Sequence, residues 1–259
     1  MTTHAMKIGL FDSGIGGFSV LKELFTKLPF AELYYFSDDA YAPYGPLTDE
    51  KITERAKIIT EVLLQKGVQL IVIACNTATA ASIDELRRIY PHIPFVGVEP
   101  YLNAYYKEQG PAKMAVLTTE SMGKSERFKR LKDRIDPTGA IANYSLKYLA
   151  KLVEDLYYSR INKDYFSQKL LEELKPLEKQ GFTHVILGCT HYPLVRNEIE
   201  KILNVKALSP CPYVASRVYE LLNGPAFENK KKLDTFYFYS SQNQQWVERI
   251  RNDLLSPLT

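Results

Sequence analysis

Two apolar runs in this chain end in the same way. Residues 66 to 77 pass from Gly67 through the run Val68 to Ala74 into Cys75, Asn76 and Thr77, and residues 180 to 191 pass from Gly181 through His184 to Gly188 into Cys189, Thr190 and His191. A short apolar run bounded by glycine on one side and small polar residues on the other reads as a core strand of a parallel sheet. Open α/β sheets bind their ligands beyond the carboxyl ends of such strands. A thiol at both of these places suits a symmetrical reaction, such as inversion of a carbon centre, in which one group takes a proton from one face and its twin returns a proton to the other. Either cysteine alone would more often be a small buried hydrophobe. Their equivalent placement reverses that expectation.

At 259 residues and 46% hydrophobic composition the chain has the means to bury a large core, as one big domain or two small ones. The net charge of +3 and a densest basic run, Lys230 to Lys232, that reads as a solvated loop give no footprint for nucleic acid. No apolar stretch approaches membrane-spanning length. The 3 cysteines include no C-x-x-C pair and make no disulfide framework. Met1 to Met6 lacks the apolar core of a signal peptide, so a reducing cytoplasm is expected.

Strand-like and helix-like periods alternate along the chain, which favours α/β layers with mostly parallel sheets. Strands are expected at Lys7 to Phe11, Leu33 to Phe36, Val68 to Ala74, Phe95 to Val98, Lys113 to Leu117, His184 to Gly188 and Thr235 to Tyr239. Helical stripes are expected at Val20, Leu21, Leu24, Phe25 and Leu28, at Leu146, Leu149, Val153 and Leu156, and at Trp246, Ile250 and Leu254, all read as core packing. Lys7 to Ser13 also resembles Lys113 to Thr119, each a strand ending in small polar groups, Asp12 and Ser13 or Thr118 and Thr119. Duplication of a half-protein is the expectation, against chance agreement among α/β strands as its rival. Pro100, the polar stretch Lys107 to Pro111, and Pro210 to Pro212 offer boundaries. The domains are expected at 1–100 with 211–259, and at 101–210.

Five motifs occur in an order that resembles bacterial glutamate racemases of the cofactor-independent aspartate/glutamate racemase superfamily. They are Phe11 to Gly17, Pro43-Tyr44-Gly45, Ala74 to Ala78, Gly97 to Pro100 and Gly188 to Pro193. Each is weak alone, but the ordered set spans most of the chain. The resemblance implies two flavodoxin-like domains with a pseudo-symmetric active site in the cleft between them, the first domain closed by the C-terminal segment. It implies interconversion of L- and D-glutamate, the latter for peptidoglycan, with glutamate as the small-molecule ligand and no cofactor or metal. Homodimers are common in the family, and a peptidoglycan precursor regulates some members.

Elementary chemistry agrees. Removing an α-proton from an amino acid is hard, and enzymes usually recruit pyridoxal phosphate as an electron sink. Without it, a site needs a thiolate on one face, a thiol on the other, and hydrogen-bond donors where charge grows on the carboxylate. Cys75 and Cys189 fill the first two roles, while Asn76, Thr77 and Thr190 are small donors at the expected starts of helices, where free N–H groups favour a carboxylate. A cysteine is mostly protonated at neutral pH and needs a partner to manage its proton. By motif, the resemblance assigns Asp12 to Cys75, His191 to Cys189, and Glu154 to orienting His191, although Tyr144 and Ser145 stand near it where many relatives have Cys-Pro. It also places Ser13, Pro43, Tyr44, Gly45 and Thr119 on the substrate pocket.

Some departures bear on substrate preference. Met122 stands where relatives carry a second substrate-contacting threonine, and Leu208-Ser209-Pro210 stands where an Asp-containing segment is common. The neighbouring possibilities are a racemase of aspartate or another amino acid, a thiol redox protein using the two cysteines as a reversible pair, and a non-catalytic amino-acid-binding protein. Redox pairs usually lie close in sequence, which these do not. Cys211 between prolines and His184 within a strand read as structural, and the Gly14 to Gly17 turn reads as tight helix–strand packing rather than a nucleotide loop. Cys189 and His191 do not have a standard zinc spacing.

Overall fold

The computed structural model describes residues 6–103, 113–222 and 232–254. The boundary expected at Lys107 to Pro111 and most of the basic run from Lys230 lie outside these residues. The chain divides into two compact units, one within Met1–Val98 and Cys211–Ser256, the other within Glu99–Pro210.

The first unit opens with β1 (Lys7–Asp12), α1 (Phe18–Lys27), β2 (Glu32–Ser37), α2 (Asp49–Leu64), β3 (Leu70–Ile73), α3 (Asn76–Ile89) and β4 (Phe95–Gly97). The strands lie in the order β2-β1-β3-β4, all parallel. β3 is apolar throughout and fully buried because helices cover both faces of a parallel sheet. Burying each such side chain contributes roughly 1.5–3 kcal/mol. α1 turns Val20, Leu21, Leu24 and Phe25 inward, and α2 starts where Thr48 Oγ1 accepts the Lys51 N–H with Asp49 and Glu50 in its first turn.

The second unit comprises β5 (Met114–Thr119), α4 (Glu120–Lys124), α5 (Glu126–Ile135), β6 (Ala142–Leu146), α6 (Leu149–Tyr157), α7 (Lys163–Glu178), β7 (His184–Leu187), α8 (Arg196–Leu203) and β8 (Lys206–Leu208). Its four parallel strands run β6-β5-β7-β8, the same path as in the first unit. The register matches as well. Phe11 lies beside Ile73 in one sheet and Leu117 beside Leu187 in the other. Asp12 therefore corresponds to Thr118, each one residue past the paired position, and Cys75 to Cys189, each two residues past it.

The chain then returns to the first unit through α9 (Cys211–Leu221), β9 (Thr235–Ser240) and β10 (Gln245–Ile250). β9 pairs parallel to β2, and β10 closes the edge antiparallel to β9.

Three expectations need correction. The stripe of Trp246, Ile250 and Leu254 is not a helix: Gln245–Ile250 is β10, followed by a 3-10 turn at Arg251–Leu254. Residues 246 and 250 are an even number apart, so an i, i+4 spacing also marks one face of a strand. Of the three, only Leu254 is core; Trp246 is half-buried and Ile250 is exposed. Leu146 ends β6 rather than belonging to α6, although it is buried with Leu149, Val153 and Leu156. The strands β6, β8 and β10 have no counterpart among the expected ones.

Candidate active site

In the first unit the chemistry collects where β1 and β3 end. Cys75 caps α3 with extended backbone (φ −138°, ψ 122°), and its Sγ accepts the Ala78 N–H at 3.4 Å. Unpaired N–H groups at a helix start favour negative charge, and Cys75 stands at such a start. Beside it, Asp12 is fully buried and its Oδ1 accepts the Gly14 N–H at 2.8 Å. Ser13 Oγ lies 3.5 Å from Asp12 Oδ1 and 4.0 Å from Cys75 Sγ, linking carboxylate to thiol. The turn after Asp12 is close-packed: a Cβ at Gly17 would lie 2.7 Å from Tyr35 Oη, 2.9 Å from Ala74 Cβ and 3.0 Å from Asp12 Cβ. This is the helix–strand packing that the glycine turn suggests.

Asn76 and Thr77 occupy the first turn of α3 and are buried. Both side-chain amide atoms of Asn76 are buried with no hydrogen-bond partner among the described residues. A buried amide normally finds partners, so these two atoms have donor and acceptor capacity left over. Tyr44 is buried in the same apolar cluster as Cys75, between the exposed Pro43 and Gly45. Its Oη donates to Asp38 Oδ2 at 2.6 Å. Burial first, then Asp38 and Cys75, push the phenol far above its ordinary value, so it stays a donor.

In the second unit, Cys189 follows β7 as Cys75 follows β3. Its Sγ lies 3.6 Å from His191 Nδ1, and His191 Nε2 lies 2.7 Å from Glu154 Oε1 on α6. Burial alone would lower the basicity of His191, but its bonds to Cys189 and Glu154 more than offset this and hold the imidazolium well above the usual histidine range. Tyr192, fully buried, donates its Oη to the Thr118 carbonyl at 3.2 Å and fixes the turn against β5.

Thr190 is buried, but no helix starts there: a 3-10 turn at Tyr192–Val195 precedes α8, with Pro193 in its first positions. Thr119 caps α4 by accepting the Met122 N–H at 3.2 Å, and Met122 itself is buried. Cys211 begins α9 and donates to Ser19 Oγ at 3.3 Å, a structural contact. Among the described residues no group of three or more His, Cys, Asp or Glu is placed to hold a metal. Likewise none of their helices is long and apolar enough to cross a membrane.

Sequence reasoning missed Asp38, Asp39 and Arg55. The only linear signal is the pair of acids directly after β2, before the Pro43-Tyr44-Gly45 motif. Arg55 lies on α2 and meets Asp38 only once the helix packs back on the sheet.

Each unit thus carries a thiol at an equivalent strand end with titratable side chains near it, on a mostly parallel α/β sheet. Residues 18–218 match the Asp/Glu/Hydantoin racemase family. The chain is 34% identical to a glutamate racemase of Pseudomonas aeruginosa over 96% of its length and 94% of that protein. It is 31% identical to one of Clostridium acetobutylicum over 98% and 94%. Among solved structures, the Escherichia coli glutamate racemase in complex with L-glutamate and the activator UDP-MurNAc-Ala superposes with a TM-score of 0.80 at 27% identity, over 91% of this chain and 89% of that one. The Francisella tularensis glutamate racemase in complex with D-glutamate gives 0.75 at 26%, over 98% and 93%. The chain belongs to the Asp/Glu/Hydantoin racemase family and is an amino-acid racemase.

Proposed function

We propose that the protein interconverts L- and D-glutamate without a cofactor, Cys75 serving one face of Cα and Cys189 the other. The observation that carries this reading is the relay Cys189–His191–Glu154, at the strand end that matches the one bearing Cys75, Ser13 and Asp12. In one direction a thiolate removes the α-proton and the opposite thiol delivers its own; the reverse reaction exchanges the roles. Asp12 manages the proton of Cys75, and His191, oriented by Glu154, manages that of Cys189. Asn76, Thr77, Ser13, Thr119, Thr190 and the segment Pro43-Tyr44-Gly45 bind the substrate. The unpartnered Asn76 amide supports this role for the first of them. We read the two units as copies of one ancestral half, on the shared strand order and register. The D-glutamate feeds peptidoglycan synthesis in the cytoplasm.

A turnover panel of enantiopure glutamate and aspartate tests the substrate, with chelator present and pyridoxal phosphate omitted. Glutamate should reach a 1:1 mixture from either enantiomer, and thiol alkylation should stop it unless substrate protects. Faster racemisation of aspartate would transfer the assignment to that amino acid. A requirement for added pyridoxal phosphate or for a metal would remove the two-thiol mechanism.

A further inference from the structure

The segment from Asp38 to Gly45 leaves the carboxyl end of β2, one strand from Asp12, and is fastened from two sides by adjacent carboxylates. Asp38 is fully buried. It accepts the Tyr44 phenol, and Arg55 binds it through Nε at 3.0 Å and Nη2 at 2.7 Å, a two-pronged contact. A buried carboxylate is tolerated only when it is paired and hydrogen-bonded, and Arg55 supplies that pairing. The same guanidinium stacks 3.8 Å over Tyr41, so one side chain grips both the root and the middle of the loop.

Asp39 faces the other way. Its carboxylate accepts Ser240 Oγ at 2.6 Å, Ser241 Oγ at 3.1 Å and the Gln242 N–H at 3.1 Å, while the Ala40 N–H donates to Ser241 Oγ at 2.9 Å. These groups form the turn between β9 and β10, some two hundred residues later in the chain. With root and middle held, Tyr44 points into the core, and Pro43 and Gly45 on either side are left exposed.

We infer that Asp38 and Asp39 are positioning residues that hold Pro43-Tyr44-Gly45 in its ligand-receiving conformation before substrate arrives, Arg55 neutralising the first and the β9–β10 turn engaging the second. Neither carboxylate handles the reacting proton. The effect is preorganisation: a loop already ordered costs less to order on binding, so loosening it weakens affinity and leaves the chemical step nearly unchanged. The inference rests on the proposed role of residues 43–45 in binding substrate.

The test pairs hydrogen exchange with kinetics on the full chain, using Asp39→Asn and Ser241→Ala, with Arg55→Met as a harsher variant. Exchange in residues 39–47 of the free protein should quicken about tenfold or more, with the sheet strands unaffected. KM for the amino acid that the wild type racemises should rise about tenfold in both directions, with kcat within about threefold and the pH profile unmoved. Exchange at wild-type rates in both milder variants would overturn the inference, as would faster exchange with unchanged KM. If the wild type fails to racemise glutamate, the glutamate reading falls. The exchange arm and the KM arm, measured with the true substrate, still decide this one.

Discussion

His191 bridges Cys189 and Glu154, with Nδ1 3.6 Å from the thiol sulfur and Nε2 2.7 Å from the carboxylate oxygen. An imidazole held this way passes a proton to or from the sulfur while its far nitrogen stays engaged. In the first unit Asp12 and Ser13 stand beside Cys75, and the proposed mechanism gives them the corresponding job. The two thiols sit at matching positions, but different chemistry supports them, and the first predictions exploit that difference.

His191→Asn and Asp12→Asn should slow the enzyme asymmetrically. The equilibrium between enantiomers is fixed at one, so kcat/KM must remain equal in the two directions. What differs is which proton transfer limits the rate. With α-deuterated substrate, the isotope effects of the two variants should be biased in opposite directions. Symmetrical isotope effects in both would make these residues substrate positioners instead.

Cys75→Ala and Cys189→Ala should each reduce racemisation by about 10³-fold or more while leaving the melting temperature near wild type. Near-wild-type turnover in either variant would end the two-thiol account.

Glu154→Gln should lower stability in a pH-dependent way. The folded-state pKa of His191 lies above its unfolded value, so the stabilisation is complete below about pH 6.5. It is lost as pH rises through the folded value. Denaturant titration should show a loss of about 1.5–3 kcal/mol near pH 6, shrinking at higher pH. A loss independent of pH across that range would mean that the imidazolium–carboxylate pair is not its source.

Gly17→Ala should cost about 1–3 kcal/mol, because the new methyl meets Ala74, Asp12 and Tyr35 within about contact distance. Activity should fall with it, since Asp12 is one of the displaced neighbours. Unchanged stability by calorimetry would show that α1 moves aside freely.

The parts of this architecture that the sequence displays are those where one physical signal dominates. Leu70 to Ile73 and His184 to Leu187 are legible because strands covered on both faces read as uninterrupted apolar runs. β6, with its alternating half-buried and exposed residues, and the three-residue β8 are edge strands whose partners lie elsewhere in the chain. Trp246 and Ile250 misled because strand and helix both place residues four apart on one face. Asp38, Asp39 and Arg55 stayed hidden for a different reason. Their contacts are made by α2 and by the β9–β10 turn, and no local spacing encodes an ion pair that tertiary packing creates. Thr190 looked like a helix start because it follows its cysteine as Asn76 and Thr77 follow theirs, but Pro193 helps turn that segment into a 3-10 turn first.

The most direct measurement is proton NMR of L-glutamate racemisation in D2O at early turnover. With one thiol on each face, the abstracted proton leaves on one sulfur and the other delivers deuterium from solvent. The D-glutamate formed should therefore be deuterated at Cα while the remaining L-glutamate keeps its protium. D-glutamate that retains protium, or L-glutamate that exchanges before it inverts, would show a single group working on both faces and contradict the assignment of Cys75 and Cys189 to opposite sides.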